Sequence, residues 1–522
     1  MKPKEVNSPY NFYIWNHKSQ KKTKRIKILI LILLIPATYQ AIAQDDYEAK
    51  LLAEFHSITS EEMMTWMEKL CSPEFRGRLS GTPEYTTSAE WVASRLKEWG
   101  IKPGGDDGTY FQWFDAPYTV VNDIGSLSLK ITQPDGSSIT KNYTYPDEYY
   151  PGMNSGNGEI TAEVVFAGFG VTAPELDYDD YKGIDVKGKI VLVNRDVPPT
   201  DARNPVYKEW VKYCYHQYKL ENAIRHGAAG FLYADGASAN PNISYDPSII
   251  VCGIGPQPLA DIFSGLNTTN AAAIDKIRKS VRPASFTTGK TVTIRANTTR
   301  HPEGKGCNVV GILEGTDPVL KDEAIIIGGH LDAVGTAGKT VNGALDNASG
   351  AVDIMGAAKA MARSGIKLKR SVVFLFIGGE ETGLNGSRLH AEKPALPKEK
   401  TVVFINLDMV GNGTGLAVNA SAPYKHLLAY FEEANTKYIH RPFRGSAPEP
   451  MEYYGRPRSD SYNFSSRGYR TMSLFTSGTV KKVYYHLPGD DPDAVTIEIM
   501  EDVAKMIYVA LTNMANDDNL KF

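Results

Sequence analysis

The chain has 522 residues, of which 22% are charged, and a formal net charge of −3. So balanced a charge gives no footing for a nucleic acid or another polyanion, and the length exceeds what one ordinary core supports. The four cysteines, Cys71, Cys214, Cys252 and Cys307, are too widely spaced for a zinc ribbon or a redox pair; single buried thiols are expected in preference to a Cys214–Cys252 bridge.

In chain order, Lys21, Lys22, Lys24, Arg25 and Lys27 precede an apolar run over residues 28–35, and Ala41 and Ala43 are small residues suited to a cleavage point. This is the pattern of a signal peptide, residues 1–43, cut after Ala43. The apolar run is shorter than the ~20 residues that cross a bilayer. The expectation is export to the periplasm, the cell envelope or the medium, with no stable membrane span after cleavage.

Helices are expected over residues 60–71 and 84–99, the second stopped by Gly100 and Pro103. Between them lies Phe75-Arg76-Gly77-Arg78. From about residue 119 to 299 the texture changes to short alternating β runs, with strands over 126–131 and 164–166. Its centre is an apolar strand over 190–193, a helix over 219–225 and a second apolar strand over 231–233. These make a β-rich or mixed module. Beyond Asn308 strands and helices alternate. Apolar runs over 325–327, 372–377 and 402–405 are too short for helices, and 472–475 is a weaker strand. Residues 351–362 are helical, and Ile499, Val503, Met506, Ile507 and Ala510 mark a closing amphipathic helix. The fold class is α/β: a mostly parallel central sheet flanked by helices, interrupted by the β-rich module.

His330, Glu380, Glu381 and Asp408 each follow an expected strand within a few residues. Open α/β sheets gather such loops at one rim, where ligands bind. With Asp346 and His486 they form a nitrogen and oxygen donor set without thiolate, suited to zinc or a similar divalent ion. The set exceeds the needs of one tetrahedral ion and fits two ions sharing a carboxylate. Asp346, beside Ser349 as a candidate helix cap, is the bridging candidate. Asp332, two residues after His330, is placed to take the second ring proton of that histidine. Adjacent glutamates in a bend cannot face the same ion, so Glu380 is assigned as general base and Glu381 as ligand. Asp490 is assigned at most to orienting His486, and His390 to a helical surface. Arg458 and Tyr462 are the candidate substrate contacts.

These residues resemble peptidase clan MH, the co-catalytic zinc family of bacterial leucyl aminopeptidase, aminopeptidase S and glutamate carboxypeptidase. The resemblance covers residues 296–520 strongly and 60–118 weakly. It implies two zinc ions per chain: His330, Asp346 and Asp408 for one, and Asp346, Glu381 and His486 for the other, with Glu380 as base. The module resembles a protease-associated (PA) domain through Val186-Lys-Gly188-Lys-Ile190 and Asn222 to Gly230. The implied division is 44–118 and 300–522 for the peptidase and 119–299 for a PA-like insert. Ser461 departs from relatives, which often carry histidine there. The implied activity is that of a secreted zinc aminopeptidase acting on peptides. Its rivals are a carboxypeptidase with Arg458 at the terminal carboxylate, a single-zinc transferase like glutaminyl cyclase, and a metal-free binding protein like the transferrin receptor.

Overall fold

The computed structural model describes residues 46–133, 135–199, 206–236, 238–420, 422–446 and 458–522. The expected signal peptide lies outside the described residues. Residues 54–522 make up the larger of two units, and both large sheets belong to it. Among the described residues no helix is long and apolar enough to cross a membrane.

Helix α1 (Ser60–Leu70) begins where Thr59 accepts a hydrogen bond from the Glu62 amide, with Glu61 and Glu62 in its first turn and Lys69 in its last. Both charge placements complement the helix dipole. Met63, Trp66, Met67 and Leu70 form its buried face at helical spacing. Helix α2 (Pro83–Glu98) is capped by Thr82 and opens on a proline, whose missing N–H costs nothing in a first turn.

Seven of the nine strands of the main sheet are β1 (Lys305–Leu313), β2 (Ala324–His330), β3 (Ser371–Ile377), β4 (Thr401–Leu407), β5 (Gly415–Ala420), β6 (Phe443–Ser446) and β7 (Thr471–Ser477); the short strands Lys102–Pro103 and Phe111–Asp115 pair with β1. Their spatial order is β1-β3-β2-β4-β7-β5-β6. The centre, β3-β2-β4-β7, is parallel, whereas β1 and β5 pair antiparallel at its flanks. All residues of β2, β3 and β4 are buried, which accounts for their unbroken apolar runs. Val373, Leu375 and Ile377 pack with Ala391 and Phe464 on one face. Helices α3 (Ser349–Arg363) and α5 (Ile497–Asn516) pack on each other and on the sheet; helix α4 (Asn385–Glu392) follows β3. The chain leaves β2, returns through α3 to β3 on one side, then passes to β4 on the other. That reversal opens a crevice at the carboxyl end of β2, the place where such sheets bind ligands.

The second sheet draws its eight strands from residues 126–296. Its parallel core is Gly158–Phe166, Ile190–Asn194, Gly230–Ala234 and Ile250–Ile254, crossed over by the helix His216–Arg225. Strands Tyr118–Val121 and Thr298–His301, where the chain enters and leaves this module, pair with each other. Tyr150 and Met153 of the module share a cluster with Leu79, Val334 and Val341 of the main body, and the Tyr145 hydroxyl donates to the Ala337 carbonyl at 2.6 Å. All four cysteines are free and buried. His390 is fully buried, its Nδ1 3.2 Å from Gln112 Oε1, which corrects the expectation of a surface position.

Arg78 ties the body together. Its fully buried guanidinium donates to the carbonyls of Leu331 (2.8 Å), Leu70 (2.5 Å), Asn342 (2.8 Å) and Gly343 (3.1 Å). Arg78→Met keeps most of the volume and strands those acceptors, so it is expected to cost about 3 kcal/mol of stability. A lower urea midpoint at unchanged slope would show it; an unchanged midpoint would contradict it.

Candidate metal centre

The crevice collects its side chains through strand register. His330 is the last residue of β2 and pairs with Ile377 at the end of β3. On the other side Gly328 pairs with Asn406, which brings Asp408 to the level of His330. After β3 the chain must turn at once. Gly378 approaches so closely that an added Cβ would lie 2.2 Å from the Tyr85 hydroxyl, and Gly379 has φ +69°. The turn directs Glu380 and Glu381 into the cleft.

Asp346 stands between two imidazoles. Its Oδ1 is 3.2 Å from His330 Nε2 and its Oδ2 3.5 Å from His486 Nε2. Asp408 Oδ1 is 3.5 Å from His330 Nε2, and Glu381 Oε2 is 2.9 Å from His486 Nε2. Donor atoms of His330, Asp346 and Glu381 lie within 4.8 Å of one another. Sequence reasoning named all of these residues, and the fold brings them together.

The two rings are held in matching ways. His330 Nδ1 is 3.0 Å from the Asp332 carbonyl and His486 Nδ1 is 2.8 Å from the Ala239 carbonyl. A carbonyl only accepts, so each Nδ1 carries a proton, and each Nε2 is the nitrogen that faces the carboxylates. His486 Nε2 and Glu381 Oε1 are buried without a hydrogen-bond partner. Imidazole nitrogens and carboxylates crowded together in a buried site need positive charge between them, supplied by a ring proton or by a metal ion. The nitrogen and oxygen donor set fits zinc.

Around the donors, main-chain amides fix the carboxylates. Asp490 accepts from the amides of Leu345 (2.7 Å) and Asp346 (3.1 Å), so it braces the Asp346 backbone and does not orient His486. The Asp332 carboxylate is a further correction. It stands 3.7 Å from His330 Nδ1 and accepts from the Glu380 and Glu381 amides at 3.2 and 3.4 Å, leaving the ring proton to its own carbonyl. Ser459 Oγ donates to Asp408 Oδ2 at 2.7 Å. Helix α3 takes its cap from Asn347, which accepts from the Gly350 amide, whereas Ser349 Oγ donates to the Leu345 carbonyl.

Charge follows burial and neighbours. Burial holds the Glu380 carboxyl well above the usual glutamate range; His330 pulls it down, while Glu381 adds to the rise. Without a metal ion, burial disfavours charge on His330, but Asp332, Asp346 and Asp408 outweigh it and hold the ring well above the usual histidine range, so a bound ion would take the place of the Nε2 proton. Burial pushes the Asp460 carboxyl up to about 7, against the pull of His330.

A cavity of about 700 Å³ opens in front of these groups. Glu380, Glu381, Arg458, Tyr462 and Tyr485 line it from the main body, and Arg195, His216 and Asn242 from the inserted module. Arg458 is exposed and Tyr462 half-buried.

Residues 308–511 match the model of peptidase family M28, and residues 160–257 match the PA domain. The chain carries an M28 peptidase domain and a PA domain. It is 27% identical over 268 residues to leupeptin-inactivating enzyme 1 of Streptomyces exfoliatus, a match covering 47% of this chain and 56% of that protein. The chain thus spans about half the length of that relative. The aminopeptidase from Aneurinibacillus sp. strain AM-1 superposes with a TM-score of 0.61 at 21% identity, over 90% of this chain and 96% of that one. BSAP, a zinc aminopeptidase from Bacillus subtilis, gives 0.57 at 18% identity, over 89% and 97%. These two share the fold.

Sequence reading of the M28 domain missed Ser459, Tyr485 and the PA-domain residue Ala239. Tyr485 stacks on His486 with ring centroids 3.9 Å apart and stays half exposed to the cleft. Its position next to His486 was the available signal.

Proposed function

We propose that the chain is an exported zinc-dependent aminopeptidase that removes N-terminal residues from peptides. The supporting observation is Asp346, whose two oxygens each face the Nε2 of a different imidazole. His330, Asp346 and Asp408 would hold one ion, and Asp346, Glu381 and His486 the other. The names of the Bacillus subtilis and Aneurinibacillus proteins agree with an aminopeptidase, and that of the former with zinc. Residues 44–118 and 300–522 would form the peptidase, with 119–299 as its PA-type insert.

When bound, the zinc pair supplies Lewis acidity toward an attacking water and the scissile carbonyl. Glu380 does the proton work. Its carboxylate faces the cleft, and burial makes it a stronger base than an exposed glutamate. It accepts the proton of the attacking water and returns it to the departing amine. Asp332 keeps Glu380 and Glu381 pointing apart by holding both their amides. Arg458 and Tyr462 would contact the peptide along the cavity wall.

A free α-amine is the expected requirement. Acetylating the N-terminus of a short peptide should abolish hydrolysis, while amidating its C-terminus should leave the rate within about twofold, because the proposed reading gives the free α-amine, and not the terminal carboxylate, a binding partner. The reverse pattern, read by chromatography of the products, would favour a carboxypeptidase and make Arg458 the residue to test.

A further inference from the structure

The two proposed metal positions are supported by different parts of the chain. At the first, the holding groups all come from the main body: the Asp332 carbonyl on His330, and Ser459 on Asp408, with Ser459 itself bonded by Asn406 at 2.7 Å. At the second, the PA domain takes hold. Ala239 grips His486 twice, its carbonyl 2.8 Å from the ring Nδ1 and its amide donating to the His486 carbonyl at 3.0 Å. His486 has φ 55°, a conformation that non-glycine residues rarely adopt without outside support. Ala239 is itself fixed, 1% exposed within the cluster of Tyr150, Met153 and Val334. The loop behind it is tied down by Asn242, which accepts from Asn154 at 3.2 Å and from the Ser244 amide at 2.9 Å. On the opposite wall Gln217 Nε2 donates to the Thr382 carbonyl at 3.2 Å, one residue after Glu381.

We infer that Ala239 and Gln217 of the PA domain are positioning residues for the metal position formed by Asp346, Glu381 and His486. This rests on the two-ion reading. A histidine ligand that loses the acceptor on its far nitrogen loses a fixed tautomer and a fixed ring plane. Changes to such partners weaken metal affinity by ~10–100-fold. His330 has no such dependence on the PA domain, so the effect falls on one ion. The PA domain then acts on the catalytic centre through metal occupancy, in addition to walling the cleft.

The test is zinc titration of the full chain against a competing chelator, with cobalt substitution to follow the two positions by their visible absorption. The starting protein should bind two equivalents. Ala239→Pro, which removes the amide bonded to His486, should weaken one equivalent by ~10–100-fold; Gln217→Ala, a half-buried change, should weaken the same equivalent to a smaller extent, and both should leave the other equivalent unchanged. Gln257→Ala, on an exposed PA-domain helix, should change neither. Thermal unfolding of the zinc-free proteins reports whether each variant is folded. Equal weakening of both ions, or two unchanged affinities in both variants, would overturn the inference. A starting protein that binds a single equivalent would instead sink the two-ion reading, and this inference with it.

Discussion

Asp346→Ala is expected to lose both ions and to reduce turnover by about 10³-fold or more, since Lewis acidity worth several kcal/mol disappears with them. The reason is placement. Oδ1 and Oδ2 face His330 and His486 respectively, and no neighbouring side chain duplicates that span. The fold should survive, because the Asp346 backbone is held by Asp490 independently of the side chain. His486→Ala removes one donor from one triad only, so elemental analysis should find about one ion retained. The pair of variants discriminates: full metal and full activity in Asp346→Ala would show that this carboxylate does not bridge.

The second large effect separates adjacent glutamates. Glu380→Gln keeps the size of the side chain and removes its basicity. Metal content is expected near that of the unmodified chain, with kcat lower by ~10²–10⁴-fold, the usual contribution of a positioned general base. Glu381→Gln should reduce occupancy of the position shared with His486, and excess zinc should restore part of its activity. The substitutions are chemically identical and one residue apart, so the difference can come only from where each side chain points. Loss of metal in Glu380→Gln with retention in Glu381→Gln would exchange the two roles.

The central sheet was legible because β2, β3 and β4 are buried on both faces, and their sequences are correspondingly apolar without interruption. The glycines after β3 and the histidine closing β2 then placed the site at one rim. What escaped reading depends on side-chain rotation or on distant backbone. Whether the Asp332 carboxylate or its carbonyl meets His330 is decided by one torsion that no sequence pattern encodes. Asn347 and Ser349 are both good capping residues two positions apart, and only the backbone path selects Asn347. The Ala239 carbonyl lies 247 residues from His486 and belongs to an alanine, so it carries no side-chain signal. His390 looked like a surface residue because the strand Phe111–Asp115, which buries it through Gln112, belongs to a distant part of the chain.

Arg78 also sets an order of events during synthesis. Its acceptors at Leu331, Asn342 and Gly343 emerge at least 253 residues later, after the whole of the inserted sheet. At translation speeds of ~5–20 residues per second, the guanidinium waits roughly 10–50 seconds for its partners. The strands of the inserted sheet, all drawn from residues 126–296, are complete before that wait ends. The module that carries this sheet is therefore the first part able to close its core, ahead of the main sheet, whose strands β2 to β7 follow it in the chain. Ribosome-stalled chains ending near residue 335, long enough for the strand Phe286–Ala296 to leave the ribosome, should show a protease-resistant fragment from the insert while residues 60–118 are still digested.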